Sequence, residues 1–278
     1  QMMVGRSVLL SVEKSIPSPK EIVLDVVGLS SDSDIGLPAI RNVDLTVRSG
    51  EIVGIAGVEG NGQRELVEAL TGIRKSTATK FTINDENAIG ASPHKIHGMH
   101  VGHVPEGIEK DGLVGQYSIA NNMVLNRFDE PEFSRRGIRN MDAVNSLATK
   151  LVKDFDVRTP SIKTPANSLS GGNKQKVVIA RELSANPSLL VASQPTRGVD
   201  VGSIEFIHSQ IISARDKGAA VLLVSAELDE VLGLSDRILV MYDGQIVAEL
   251  EGASADRAEI GRLMAGGHAV VAEDSSHG

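Results

Sequence analysis

Cysteine is absent from the 278 residues, which removes disulfides and thiolate metal sites and agrees with a cytosolic setting. Tryptophan is absent too, and aromatics make up only 3%, so the chain has few rings to stack on nucleobases. Positive charge is in deficit: 28 Lys and Arg stand against 36 Asp and Glu, a net charge of −8. A nucleic-acid platform would carry a basic stripe, and nucleic acid is not an expected partner. No window approaches the ~18 apolar residues of a membrane-spanning helix. The opening Gln1-Met2-Met3-Val4-Gly5-Arg6 leads into a mixed segment and not an apolar signal core. What remains is an acidic chain, 41% hydrophobic, able to bury a sizeable core.

Residues 1–20, with Pro17 and Pro19, have the composition of a linker. Strands are predicted at Ile22–Val27, Asn42–Val47 and Ile52–Ala56, with a turn at Ser49-Gly50. A glycine-rich loop follows, then an amphipathic helix from about Gln63. Further strands are expected at Phe81–Ile83 and Val101–Val104, with a short helix near Pro93–His97 between them. From about 106 to 168 no strand pattern is visible. Val144, Leu147, Leu151, Val152 and Phe155 recur at helical spacing within Ile138–Phe155, which predicts a mostly helical insert. Alternation then resumes: helix from about Gly172 to Leu183, strand Leu189–Ala192, helix Gly202–Lys217, strand Ala220–Ser225. Such alternation predicts a parallel sheet wrapped by helices. Asp243-Gly244 between Asp236–Tyr242 and Gln245–Leu250 predicts a hairpin. No internal repeat is present.

His94, His97, His100 and His103 recur every third residue, but Gly98 and the strand at Val101 interrupt any continuous helix that would stack them. No metal site is expected.

The glycine-rich loop is Gly57-Val58-Glu59-Gly60-Asn61-Gly62-Gln63-Arg64. A phosphate-binding loop of form G-x-x-x-x-G-K-[ST] cradles phosphates on backbone N–H groups, reaches them with lysine and holds Mg²⁺ with the hydroxyl. Here the glycines and the strand–loop–helix context match, while Gln63 stands at the lysine position and Arg64 at the hydroxyl position. Backbone amides could still attract an anion. Arg64 either restores part of the missing positive charge or, as favoured, pairs with Glu68 one helical turn on.

Roughly 110 residues later comes Leu169-Ser170-Gly171-Gly172-Asn173, close to LSGGQ. It is followed by a hydrophobic strand ending Ser193-Gln194-Pro195-Thr196, then Arg197-Gly198-Val199-Asp200 and Val224-Ser225-Ala226-Glu227-Leu228. In this order and spacing, residues 21–250 resemble the ATP-binding cassette (ABC) ATPases. The resemblance implies an α/β fold of the P-loop NTPase, RecA-like type: a parallel-sheet core, an antiparallel β portion and an inserted α-helical subdomain at about 106–168. Residues 251–278 would form a C-terminal helix and a disordered tail. Gly60-Asn61-Gly62-Gln63-Arg64-Glu65-Leu66, Pro105-Glu106 with Lys110-Asp111-Gly112-Leu113-Val114, and Pro195 to Gly202 narrow the likeness. They resemble the C-terminal cassette of double-cassette subunits in bacterial simple-sugar and nucleoside importers. Val104-Pro105-Glu106 leans toward nucleosides.

On this resemblance the nucleotide-binding positions are Gly57, Glu59, Gly60, Asn61, Gly62, Gln63 and Arg64. The signature is Leu169, Ser170, Gly171, Gly172 and Asn173, and Asp200 faces the other cassette. Several positions depart from the family. The Walker B Asp-Glu pair is Ser193-Gln194, the switch histidine is Ala226, and the metal- and water-contacting glutamine is Glu106. No aromatic ring between Glu21 and Glu51 can stack on adenine. A charge-assisted hydrogen bond contributes about 1.5–3 kcal/mol, and loss of a general base alone costs about 10²–10⁴ in rate. No catalytic residue of its own is therefore expected. ATP and Mg²⁺ would serve the full transporter without binding tightly to this chain. The expected partners are an N-terminal cassette of the same subunit, membrane permease subunits and, indirectly, a solute-binding protein, at the cytoplasmic face of the plasma membrane. The expected role is to donate Ser170-Gly171-Gly172 to the partner cassette's ATP site. The alternative is a purely structural cassette bridging the active cassette to the permease.

Overall fold

The computed structural model describes residues 14–266. The tail after Gly266 and residues 1–13 of the expected linker lie outside the described residues. Two long strands, β1 (Ile22–Asp32) and β2 (Pro38–Arg48), pair antiparallel. They extend well past the runs expected from alternation, because cross-strand pairing continues to Asp32↔Pro38 through several bulges. β3 (Ile52–Ala56) is buried along its whole length and runs through the glycine-rich loop into α1 (Gln63–Leu70). β4 (Lys80–Ile83) and β5 (Glu86–Asn87) complete a four-stranded antiparallel sheet of order β2-β1-β4-β5.

α2 (Pro93–Gly98), capped by Ser92, leads to β6 (Val101–Val104). A single π-helical turn covers Ile108–Gly112, and α3 spans Ile119–Asn122. The insert is not free of strands: β7 (Ser134–Arg135) and β8 (Ile138–Arg139) form a small hairpin. That hairpin claims Ile138, so the helix predicted from Ile138 begins later, as α4 (Met141–Asp154), where the Asn140 side chain accepts from the Ala143 N–H. Val144, Ala148 and Leu151 face inward from α4.

The alternating half follows as α5 (Gly171–Ser184), β9 (Leu189–Ser193), α6 (Val201–Asp216) and β10 (Ala220–Ser225). A further helix that periodicity did not reveal, α7 (Leu228–Leu234), precedes β11 (Arg237–Tyr242) and β12 (Gln245–Glu251). Asp243 and Gly244 take φ of 47° and 75°, the left-handed pair of a tight hairpin turn. α8 (Arg257–Met264) buries Ile260, Leu263 and Met264 against Ile238 and Val240 of β11.

The main sheet has order β12-β11-β3-β10-β9-β6, parallel except for β12. Its central parallel strands β3, β10 and β9 are buried on both faces, as parallel strands are, whereas the edge strand β12 is not. Val53, Ile55, Leu222 and Leu239 pack toward α1 and the antiparallel sheet. Ile52, Leu190, Val221 and Leu223 pack toward the helical side with Ile119, Val144, Val178 and Ile211. A Cβ on Gly54 would lie 2.1 Å from the Ser235 Oγ, so β3 and the C-terminal end of α7 touch without a side chain between them. The glycine-rich loop at the end of β3 is thereby set on a rigid strand.

Candidate nucleotide site and signature loop

The glycine-rich loop turns on Gly60 and Gly62, at φ 92° and 102°, conformations that glycine adopts without a Cβ penalty. Gly62 also abuts β2: an added Cβ would lie 2.7 Å from the Ala39 carbonyl oxygen. Asn61 ties the loop to the hairpin turn, its Oδ1 accepting from the Asp243 N–H at 3.1 Å. Gln63 does not project outward. Its side chain folds back beneath Gly57, and Nε2 donates to the Val58 carbonyl at 2.9 Å. Arg64 pairs with Glu68 at 2.8 Å, one turn along α1, and that carboxylate raises its already high pKa. Glu68 also receives Arg74 at 2.6 Å.

Glu59, Gly60, Arg64, Glu106 and Ser193 line one cavity of about 600 Å³. Three segments far apart in sequence are thus brought together at the C-terminal ends of β3, β6 and β9. The wall carries five carboxylates (Glu59, Glu65, Glu68, Glu106, Asp111) against three cations (Arg64, Lys110, Arg197). Arg197 bridges two of these segments: it is ion-paired with Glu106 and lies 3.7 Å from Glu59. This contact between the loop after β9, the loop after β6 and the glycine-rich loop had no sequence signal. Gln194 adopts a left-handed φ of 48° at the end of β9. Its backbone N–H donates to Val224, and its Oε1 accepts from the Ala226 N–H at 3.2 Å. The amide side chain is thus committed to protein backbone.

Leu169–Asn173 lie elsewhere: none of them lines the cavity. Leu169 is buried, whereas Ser170 and Gly171 are exposed at the start of α5. Gly172 is buried against the start of α6, where a Cβ would meet the Asp200 Oδ2 at 2.6 Å and the Ser203 Oγ at 2.5 Å. Asp200 caps α6, accepting from the Ser203 N–H at 3.1 Å and the Ser203 hydroxyl at 2.9 Å. Those bonds hold its carboxyl below the usual range. The Leu169–Asn173 loop and Asp200 therefore form one packed corner that does not line the cavity.

Among the described residues, no group of three or more His, Cys, Asp or Glu is placed to hold a metal ion. His94 and His100 are exposed. His103 differs: its Nε2 is buried with no partner. Burial, and behind it the positive Arg181, push its imidazole down to about 4. A histidine whose folded pKa lies below its unfolded value of ~6.5 favours folding fully above that value. The stability is lost as pH falls from ~6.5 toward 4. Urea titrations should show a loss of order 3 kcal/mol across that window. Replacing His103 with Gln should flatten this part of the curve; an unchanged pH dependence would refute the assignment.

Comparison with known proteins bears on the family and the fold. The ABC transporter family profile matches residues 40–197, more than half of the chain. The nucleoside import ATP-binding protein NupA of Lactococcus lactis subsp. cremoris is 45% identical, over 96% of this chain and 53% of its own length. The glucose import ATP-binding protein TsgD13 of Haloferax volcanii is also 45% identical, over 96% and 49%. The chain thus spans about half the length of the relatives it matches. Among solved structures, a dimeric ATP-binding cassette in a post-hydrolysis state with ADP and Pi superposes with a TM-score of 0.71 at 22% identity. That match covers 82% of this chain and 98% of the other. The α/β fold is that of an ATP-binding cassette, and the chain belongs to the ABC transporter family.

Proposed function

We propose that this cassette is the degenerate second half of an importer subunit for simple sugars or nucleosides, and that it completes a partner cassette's ATP site. The carrying observation is the contrast between its two corners. Around the glycine-rich loop, Gln63 is folded onto Val58, Arg64 is committed to Glu68, and Glu106 and Glu59 face Arg197. Ser193 offers a neutral hydroxyl where a metal-bound nucleotide needs a carboxylate. A wall with more carboxylates than cations opposes a polyphosphate. At the other corner, Ser170 and Gly171 are exposed at the N-terminus of the 14-residue α5, where backbone N–H groups suit an anion.

Membrane permease subunits, and through them a solute-binding protein, are the remaining partners, with the subunit at the cytoplasmic face of the membrane. Tyr117, Phe128, Ile138 and Met141 are exposed on the insert and offer apolar side chains for such docking. Equal identity to a nucleoside and a glucose importer supports both solute classes alike.

Calorimetry on the isolated chain tests the first corner. Mg-ATP should bind no better than about millimolar, roughly 4 kcal/mol, with no measurable hydrolysis. Micromolar binding would show that Arg64 and the backbone cradle suffice, and would refute this reading of the cavity.

A further inference from the structure

The sequence presents Asn173 as a mild exchange for the glutamine usual at the end of the signature. The geometry gives it two specific bonds. Its Oδ1 accepts from the Arg158 N–H at 2.7 Å. A backbone N–H can only donate, so the amide oxygen must face Arg158 and the NH₂ must face the other way. There, Nδ2 donates to the Ser170 Oγ at 2.9 Å. Ser170 sits at the N-cap of α5 with φ −64° and ψ 159°, yet its hydroxyl caps no backbone N–H of that helix. An N-cap serine ordinarily accepts from the N–H two or three residues on. Here the side chain of the third residue, Asn173, has taken over as donor.

The consequence concerns one proton. With Asn173 donating into a lone pair of Ser170, the hydroxyl proton cannot point toward Asn173 and is left to donate outward. We propose that Asn173 is a positioning residue that keeps the Ser170 hydroxyl as a donor toward a phosphate oxygen of the nucleotide held by the partner cassette. This rests on the signature-donor reading above. The bond to Arg158 also joins the signature to the segment just after α4. With Gly172 pressed on Asp200 and Ser203, the loop has little room to move by other means.

Asn173→Asp isolates the effect. The carboxylate keeps the shape and the acceptor for Arg158 but has no N–H to give, so the Ser170 hydroxyl turns to donate into it. In a reconstituted transporter carrying the full-length subunit, kcat for Mg-ATP should fall about 10- to 100-fold, with KM little changed. Asn173→Gln, which restores an amide donor, should stay near wild type. The new negative charge could also repel phosphate, so the same exchange is made in a Ser170→Ala background. Misdirection of a hydroxyl vanishes there, whereas repulsion persists. Ser170→Ala alone must lower turnover; if it does not, the donor reading falls and the positioning role falls with it. Suppose instead that Ser170→Ala is defective while Asn173→Asp is normal, or acts by the same factor in both backgrounds. The positioning role is then wrong and the donor reading stands. A full loss in Asn173→Gln would likewise overturn it.

Discussion

Ser170→Arg in the full-length subunit should abolish transport-coupled ATP hydrolysis, whereas Gln63→Ala should leave it almost unchanged. Ser170 is exposed at the start of α5, so arginine can be accommodated there without disturbing the core. It would place a long cation where, in the proposed role, the hydroxyl and amides of Ser170-Gly171-Gly172 meet the partner's phosphate. Removal of one preorganised donor costs about 10²–10³ in rate, and a blocking side chain removes the surrounding donors as well. Gln63 has no such reach: its amide is spent on the Val58 carbonyl, and the neighbouring Arg64 on Glu68. Turnover of both variants, measured with and without solute, checks the asymmetry. Equal defects, or a larger loss at Gln63, would assign this glycine-rich loop a function denied to it here.

The largest expected effect on stability lies far from either corner. Arg215 is fully buried near the end of α6. It donates to both oxygens of Asp236 at 3.0 and 3.2 Å, to Asp216 at 2.7 Å, and to the carbonyl and hydroxyl of Ser15. Asp236 in turn accepts from the Ile52 N–H at 2.9 Å, at the first residue of β3, and is ion-paired with Lys14 at 3.4 Å. The cluster clamps the segment entering the cassette to the strand that carries the glycine-rich loop. Arg215→Met should cost about 3–5 kcal/mol, since it leaves the buried Asp236 carboxylate with only the more distant Lys14 as a cation partner. Adding Asp236→Asn should recover much of that, because a neutral amide oxygen still serves Ile52. Urea unfolding gives both values; a loss below ~1 kcal/mol for Arg215→Met would contradict the account.

Local chemistry made much of this legible. The strand–loop–helix around Gly57–Arg64 and the Asp243-Gly244 hairpin follow from glycine placement, and the alternating second half follows from buried runs of strand length. The Arg64–Glu68 pair follows from helix spacing. The remaining features depend on tertiary contact. The Arg215–Asp236–Ser15 clamp joins residues some 200 apart in sequence. Arg197 meets Glu106 and Glu59 only once three loops converge. α7 is short, begins after Glu227 without a side-chain cap, and buries Glu230 beside His208 and Thr196. A polar residue at a core position hides the apolar stripe that would announce the helix. The β7–β8 hairpin has two residues per strand, too few for alternation to register. Asn173 looked like a conservative exchange because sequence cannot tell which way its amide faces.

The central claim is that this cassette lends a signature and has no nucleotide site of its own. Counting tightly bound nucleotides tests it most directly. Equilibrium binding of Mg-ATP to the full-length subunit at micromolar concentration should give one nucleotide per subunit, lost when the partner cassette's phosphate loop is disabled and unaffected by Gln63→Ala. Two per subunit, with one removed by a change at Gly60 or Gly62, would contradict the account.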